Sequence, residues 1–255
     1  MNKVEIQKIL SIGVSPSRII YAHPCKQSSL IRFSANSNVE MMTFDNESEL
    51  HKVKSLFPTA KLVLRILPPS KCKCLWDLSI KSGVKPAKAI HLLRGAKSIE
   101  LDVKGVSFHV GGGCLEPEAM AATFKEARMV FDQGRDLGFN MMMLDIGGGF
   151  PGHASVPVSF HSIAQVVNMA LEKYFPAEEG IEFIAEPGTY MVASGFTLAV
   201  NIISKRIEQR DGELTDQPNM SDNPVVMYYI SDGVYGSFST LRYDHTAEDQ
   251  SSHSM

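Results

Sequence analysis

Residues 105–149 read GVSFHVGGGCLEPEAMAATFKEARMVFDQGRDLGFNMMMLDIGGG, and this stretch decides the fold. It opens and closes with short apolar runs, at residues 105–110 and 143–147. Between them, residues 116–137 carry apolar side chains at helical spacing, and Pro117 lies near the start, where its missing N–H removes no hydrogen bond. A strand, a helix and a second strand in this order predict two parallel strands joined by a right-handed crossover.

The same cycle of strand and helix extends on both sides of this stretch. Further apolar runs of strand length lie at residues 19–22, 41–44, 62–66 and 183–186. Helical patterns lie at residues 48–57, 86–98 and 159–175, and the first residues form a short amphipathic helix. Both an open doubly wound sheet and a closed (β/α)8 barrel are built from such units.

Polar side chains at the ends of the predicted strands favour the barrel. Arg65, His109, Asp145 and Glu186 each lie at or near the carboxyl end of an apolar run. A barrel gathers all of these ends around one mouth, whereas an open sheet spreads them. A closed barrel has eight strands and the sequence shows about six, so we predict an incomplete TIM-type α/β barrel over residues 1–195.

The chain changes character after residue 195. Residues 197–207 and 225–238 are rich in β-branched and aromatic residues, and no helical pattern separates them. They predict the start of a second, β-type domain over residues 196–245. Residues 246–255 have the composition of a polar tail.

The composition indicates a globular protein and excludes several functional classes. The chain has 255 residues, of which 44% are hydrophobic, and its formal net charge of −3 lacks the basic excess of a nucleic-acid-binding protein. The most apolar stretch, residues 191–203, is shorter than the ~20 residues of a membrane span. The cysteines, Cys25, Cys72, Cys74 and Cys114, are too few and too scattered for a disulfide framework, which predicts reduced thiols in the cytoplasm. Cys72 and Cys74 are too closely spaced for zinc and have no second pair, so no metal site is expected.

Two glycine runs and one Glu-Pro-Gly sequence follow the predicted strands. Residues 111–113 and 147–149 are all glycine, and consecutive glycines let backbone N–H groups approach an anion closely. His109 and Glu186 together suit a pyridoxal phosphate ring, although His109 taken alone is more simply interpreted as a hydrogen-bonded histidine of the core. Arg65 fits either a phosphate or carboxylate clamp or an ion pair with Asp145.

Five motifs in order resemble eukaryotic ornithine decarboxylase and its paralogues, the antizyme inhibitors. They are IIYAHPCKQ (19–27), FHVGGGC (108–114), LDIGGGFPG (144–152), AEPGTYMVASGFTLAVN (185–201) and DGVYGSF (232–238). The resemblance implies an eight-stranded α/β barrel of the alanine-racemase type followed by a β-sandwich. It also implies pyridoxal 5′-phosphate at the barrel mouth, a homodimer or heterodimer, and a role in polyamine synthesis.

The resemblance also implies residue roles. His109 matches the histidine that stacks on the cofactor ring, Glu186 matches the carboxylate that holds its pyridinium nitrogen, and Tyr243 and Asp244 match the pair that meets the substrate's distal amine. The implied cofactor-binding residues are Arg65, His109, Gly112, Gly147, Gly148, Gly149, Glu186, Pro187, Gly188 and Thr189, and the implied catalytic residues are His109, Glu186 and Asp244. The segment from Ser28 to His51 matches the family's antizyme-binding element.

Two departures from the family pattern weaken the expected phosphate contacts. Gly112 replaces a serine and Thr189 replaces an arginine, and both of those family residues bind the phosphate. At ~1–3 kcal/mol for each charge-assisted hydrogen bond, their loss is expected to weaken cofactor binding by ~2–6 kcal/mol.

The segments that complete the family's active site are expected outside the printed sequence. The Tyr-Ala-Val-Lys segment, whose lysine binds the cofactor covalently, is expected before Ile19, and a Cys-Asp segment is expected after residue 255. We therefore expect a catalytically impaired or truncated member of the family. An antizyme-inhibitor-like binding protein and, in a longer isoform, an active decarboxylase of another amino acid stay open.

Overall fold

The computed structural model describes residues 3–69, 73–76, 81–152, 156–208, 225–233 and 235–237. The chain divides into two compact units, Met1–Gly195 and Phe196–Met255. Each unit is described by itself below. None of the helices in the described ranges is long and apolar enough to cross a bilayer.

The first unit alternates strands and helices along most of its length. Its strands are β1 (Ile20–Tyr21), β2 (Met41–Phe44), β3 (Lys61–Ile66), β4 (Cys74–Trp76), β5 (Asp102–Phe108), β6 (Gly112–Cys114), β7 (Met143–Asp145) and β8 (Glu182–Ile184). Its α-helices are α1 (Lys3–Ser11), α2 (Ser28–Asn36), α3 (Glu47–Leu56), α4 (Pro86–Ser98), α5 (Pro117–Asp136), α6 (Phe160–Tyr174) and α7 (Gly188–Val192). Short 3₁₀ turns lie at Pro16–Arg18 and Ala177–Glu179.

Six strands form one parallel sheet in the order β1-β2-β3-β5-β7-β8. The two edge strands face each other across a cleft of about 470 Å³, whose walls include Ile20 of β1 and Phe183 of β8. A flat sheet would hold its edges far apart, so a cleft shared by both edges shows that the sheet is curled. The prediction of an incomplete barrel with about six strands is confirmed.

Continuous apolarity explains why these strands pair as they do. Leu62, Val63 and Leu64 of β3 are fully buried, as expected for a strand covered on both faces. Gly105 lets β5 lie against β7, because a Cβ at this position would overlap the backbone carbonyl of Met143. The close approach of these two strands is what brings their carboxyl ends together.

Helix α5 packs on the sheet and on α6 through aromatic contacts. Phe124 meets Phe108 of β5 edge to face at 5.3 Å, and Phe131 meets Phe175 at 5.5 Å. Such edge-to-face pairs add about 0.5–1.5 kcal/mol beyond the area that they bury. These contacts hold β5, and with it the residues that follow the strand, in a fixed position.

The strands β4 and β6 were not predicted from the sequence. They pair antiparallel, with Cys74 opposite Cys114 and Trp76 opposite Gly112. A three-residue strand that is mostly glycine has no apolar alternation, and its sequence is also typical of a turn. Helix α2 was missed as well, since its serine-rich sequence is typical of a loop.

The second unit contains an antiparallel pair of strands, β9 (Ile202–Glu208) and β10 (Val225–Ile230). The register runs from Val225 opposite Glu208 to Tyr229 opposite Ser204, with an irregularity before Ile230. This pair agrees with the antiparallel strands that the sequence predicts, while a second domain over residues 196–245 stays a prediction. The predicted polar tail, residues 246–255, lies outside the described residues.

The N-cap of α6 gives a direct test of local stability. The Ser159 hydroxyl accepts a hydrogen bond from the Ser162 N–H at 3.1 Å, which satisfies one N–H at the helix start. We expect Ser159→Ala to lower the free energy of unfolding by about 1 kcal/mol in urea denaturation. Ser55→Ala is the matched control, because the Ser55 hydroxyl donates to the Lys52 carbonyl inside α3 and caps no helix start. Equal stability of the two variants would contradict this prediction.

Candidate functional site

Four ionisable side chains lie at or just beyond the carboxyl ends of neighbouring strands. Arg65 lies on β3, His109 follows β5, Asp145 ends β7 and Glu186 follows β8. These strands are consecutive in the sheet, so their ends meet at the mouth of the curled sheet. The charge of Arg65 acts on the other three groups, and that of Glu186 acts on Asp145, as expected for side chains at one mouth.

The glycine run after β7 joins these strand ends tightly. Gly147 has a φ of 63°, and a Cβ there would overlap the Phe108 carbonyl of the neighbouring strand. The Gly147 N–H donates to Asp145 Oδ1 at 2.9 Å, and its carbonyl accepts from the Glu186 N–H at 2.7 Å. Glycine at this position therefore lets one loop connect the ends of β5, β7 and β8.

A cavity of about 290 Å³ opens beside this loop. It is lined by His109, Gly112, Gly148, Gly149, Phe150, Glu186, Gly188 and Thr189. Among the described residues, the N–H groups of Gly148 and Gly149 donate to no other atom. Two backbone donors at a cavity wall can bind an anion. No lysine is among the residues that line this cavity, so the described chain offers no amine there.

The histidine is held neutral in this cavity. Burial, and secondly the charge of Arg65, lower the pKa of His109 to about 4. Its Nδ1 accepts a hydrogen bond from the Gly111 N–H at 3.1 Å, which requires an unprotonated Nδ1. A neutral, partly buried imidazole can stack on a cationic aromatic ring without charge repulsion.

The pKa of each of the two carboxyl groups is raised by some neighbours and lowered by others. Burial, and secondly the nearby Glu186, raise the pKa of Asp145 to about 7, whereas the Gly147 N–H and Arg65 favour ionisation. Burial also raises the pKa of Glu186, and Arg65 opposes this shift. Burial lowers the pKa of Arg65, and the charges of the two carboxyl groups oppose this shift. The site therefore contains two desolvated carboxyl groups and one desolvated cation.

Most of the residues that sequence analysis assigned to the site lie around this cavity. Pro187 precedes α7, and Gly188 and Thr189 form its first turn, with both of the latter on the cavity wall. Arg65 is not among the residues that line the cavity, but the charges of Glu186 and Asp145 act on it. Tyr243 and Asp244 lie outside the described residues.

Sequence reasoning missed Phe150 as a wall of the cavity. Its ring lies 5.7 Å from that of Phe160, which anchors the loop to the start of α6. The only signal for Phe150 in the sequence was its position directly after the glycine run 147–149, because that run follows the strand that leads to the mouth.

The fold and the site together define a class: an incomplete α/β barrel in which a histidine, a carboxyl group and a glycine run line one cavity at the mouth. Residues 1–193 match the family described as "Pyridoxal-dependent decarboxylase, pyridoxal binding domain". The chain belongs to this family, whose cofactor is pyridoxal phosphate.

Relatives of known function lie in two groups. The chain is 50% identical over 244 residues to ornithine decarboxylase from Mus pahari, which covers 96% of this chain and 53% of the relative. It is 46% identical over 244 residues to antizyme inhibitor 2 from Xenopus laevis, with the same coverage of 96% and 53%. The chain thus spans about half the length of the curated relatives that it matches.

A solved structure agrees with the fold. The arginine decarboxylase of Paramecium bursaria Chlorella virus, bound to agmatine, superposes with a TM-score of 0.82 at 32% identity. The superposition covers 96% of this chain and 61% of that chain. The similarity to ornithine decarboxylases and antizyme inhibitors, expected from the five motifs, is confirmed.

The residues of the cavity fit pyridoxal phosphate in part. A neutral His109 and the carboxyl of Glu186 suit the ring and its nitrogen, and the N–H groups of Gly148 and Gly149 suit the phosphate. Thr189 and Gly112, however, bring no positive charge to the same wall. The cavity thus suits the ring better than the phosphate.

Proposed function

We propose that this chain is a cofactor-facing barrel of the ornithine decarboxylase family that binds pyridoxal phosphate weakly and does not decarboxylate ornithine by itself. One observation carries the proposal: the cavity that holds His109 and Glu186 has Thr189 and Gly112 where the family pattern has an arginine and a serine. The role that remains is regulation of the decarboxylase within polyamine synthesis.

The arrangement of the described residues supports the proposal that the chain binds pyridoxal phosphate. His109 would lie against the cofactor ring, Glu186 would accept a hydrogen bond from its nitrogen, and Gly148 and Gly149 would donate to the phosphate. When bound, the cofactor supplies an electron sink for bond cleavage at the α-carbon of an amino acid. Ionisation of Glu186 against a cationic ring nitrogen would offset the burial that now raises its pKa.

The absence of an arginine at position 189 supports the proposal that the chain is inactive by itself. An arginine at position 189 would add charge-assisted hydrogen bonds of about 1.5–3 kcal/mol to a phosphate. A threonine hydroxyl supplies at most one neutral bond of about 0.5–1.5 kcal/mol. Cofactor retention is therefore expected to be lower than in a protein that keeps the arginine.

We expect Thr189→Arg to bind pyridoxal 5′-phosphate roughly 10- to 100-fold more tightly than the wild-type chain, because about 1.4 kcal/mol corresponds to a factor of ten. Equilibrium dialysis of the full chain measures this change. Met191→Arg is the matched control, since Met191 lies on the same helix and is exposed away from the cavity. Pyridoxal without the phosphate serves as the second ligand. A gain that is equal for both ligands, or no gain at all, would contradict the proposed site.

The proposed regulatory role needs a binding surface. The segment from Ser28 to His51 spans α2, β2 and the first half of α3, and it exposes Arg32 and Glu47 on these helices. Antizyme inhibitors are among the relatives of the chain, which supports binding of antizyme through this segment. A pull-down with purified antizyme tests this binding, and Arg32→Glu is expected to reduce retention. Release of labelled carbon dioxide from ornithine by the purified chain would contradict the proposal that it is inactive.

We also propose a cytoplasmic location and a dimeric assembly, as expected from the family. Sedimentation of the purified chain, alone and with ornithine decarboxylase, distinguishes a homodimer from a heterodimer.

A further inference from the structure

Two cysteines of the described residues have no part in the proposed function. Cys74 lies on β4 and Cys114 lies on β6, and they are direct partners in the antiparallel register. Directly opposite residues of an antiparallel pair project to the same face of the sheet. The two thiols are therefore neighbours, with Cys114 buried and Cys74 partly exposed.

The hydrogen bonds of β4 and β6 show which type of pair the cysteines form. The Leu115 N–H donates to the Lys73 carbonyl at 2.9 Å, which places the backbone bonds one residue away from the cysteines. The Cys114 N–H points away from β4 and donates to the Gly149 carbonyl at 2.9 Å. Cys74 and Cys114 thus form a non-hydrogen-bonded pair, the type in which opposite side chains are closer.

This geometry is within reach of a disulfide. Non-hydrogen-bonded partners have Cα atoms about 4.5 Å apart, and disulfides bridge Cα atoms at about 4.4–6.8 Å. Cross-strand Cβ atoms lie at about 4.5–5.5 Å, while a disulfide has Cβ atoms at about 3.5–4.5 Å. The Cys114 thiol donates to the Glu116 carbonyl at 3.4 Å, so a disulfide requires this thiol to leave that carbonyl as well as a shift of roughly 1 Å between the two strands.

We propose that Cys74 and Cys114 form a reversible disulfide when the protein meets hydrogen peroxide. The Cys74 thiol, the more exposed of the two, attacks the peroxide to give a sulfenic acid and one water molecule. The Cys114 sulfur then attacks the Cys74 sulfur, forms the S–S bond and releases the hydroxyl with the second proton as water. Two thiols are oxidised, and one peroxide is reduced to two waters.

The disulfide would also act on the cofactor cavity, a consequence that rests on the proposed function. Strand β6 begins at Gly112, which lines the cavity, and ends at Cys114, which holds the carbonyl of Gly149. A disulfide that draws β6 towards β4 would therefore displace Gly112 and Cys114, and with Cys114 its hydrogen bond to the Gly149 carbonyl. The oxidised chain is therefore expected to bind pyridoxal phosphate less tightly than the reduced chain.

Peptide mapping of the full chain tests the disulfide. Trypsin separates the three nearby cysteines, because lysines precede and follow each of them: Cys72 falls in residues 72–73, Cys74 in residues 74–81 and Cys114 in residues 105–125. After peroxide treatment and alkylation, we expect a linked product of peptides 74–81 and 105–125, lighter than their sum by two hydrogen atoms. Dithiothreitol should abolish it. Its absence, or linkage of peptide 74–81 to another cysteine, overturns the proposal.

Variants separate the disulfide from other effects of oxidation. Cys74→Ser should abolish the linked product, whereas Cys25→Ser should retain it. Oxidation should weaken the binding of pyridoxal phosphate by the wild type but not by Cys74→Ser. An equal loss of binding in both proteins overturns the proposed effect on the cavity. If pyridoxal phosphate binds neither form, the proposed function fails while the peptide map still decides the disulfide.

Discussion

Replacing Glu49 with alanine should lower the free energy of unfolding by about 3–5 kcal/mol, as for other buried ion pairs that lose one partner. The Glu49 carboxylate accepts from the Lys26 ammonium at 2.8 Å and from the Lys26 backbone N–H at 3.2 Å, and it also pairs with Lys52. The side chains of Lys26 and Glu49 are 0% and 2% exposed. Without Glu49, the buried ammonium keeps the carbonyls of Thr43 and His23 and the Tyr21 ring at 5.8 Å, none of which carries a charge.

The loss of stability should differ between variants of Lys26 and variants of Glu49. Lys26→Met leaves Glu49 with Lys52, so we expect it to be less destabilising than Glu49→Ala. Burial already lowers the pKa of Lys26, and Glu49 opposes this shift, which is consistent with an ammonium that depends on its partner. Urea denaturation followed by circular dichroism measures each variant.

Glu47→Ala is the matched control on the same helix. The Glu47 side chain is 74% exposed and lies 3.9 Å from His51, so its removal should change stability by less than about 1 kcal/mol. A Glu49→Ala variant as stable as Glu47→Ala would show that the buried pair contributes no net stability. The pair matters for the mouth of the barrel because it joins the segment after β1 to α3.

The main sheet could be predicted from the sequence because its strands are continuously apolar. Runs such as residues 62–66 and 143–147 are buried on both faces, and burial of that kind leaves a clear pattern. The strands β4 and β6 could not be predicted from the sequence, because Gly112 and Gly113 of β6 have no side chains that could form an alternating apolar and polar pattern. Their pairing depends on contacts between distant segments, such as that of Leu115 with Lys73.

The candidate site was predictable in position and less so in its electrostatics. Strand ends and glycine runs placed His109, Glu186 and Gly147 at one mouth. The sequence could not show that Asp145 is 2% exposed, because burial depends on how the neighbouring strands and loops cover it. It also left Arg65 between two interpretations, and the structure places Arg65 in the field of both carboxyl groups.

Asp145→Asn should gain stability relative to the wild type as the pH rises from about 4 to about 7. Burial, with the help of Glu186, raises the pKa of Asp145 from 3.8 to about 7 in the folded protein. The folded state therefore binds more protons than the unfolded state in this window, so the wild type loses stability as the pH rises through it. Three pKa units correspond to roughly 4 kcal/mol. Asparagine keeps the acceptor for the Gly147 N–H and removes the ionisation.

The comparison must be made as a difference, because His109 acts in the opposite direction. Its pKa is lowered to about 4, so the unfolded state binds more protons between about pH 4 and 6.5, and stability rises with pH there. Both proteins contain His109, and subtracting one urea denaturation series from the other cancels its contribution. Asp136→Asn, which changes an exposed carboxyl on α5, is the matched control and should give a nearly flat difference. A flat difference for Asp145→Asn as well would mean that Asp145 is already ionised at pH 4, held by Arg65 and the Gly147 N–H. In that case the site would contain two carboxylates and one arginine, and its net negative charge would by itself oppose the binding of a phosphate.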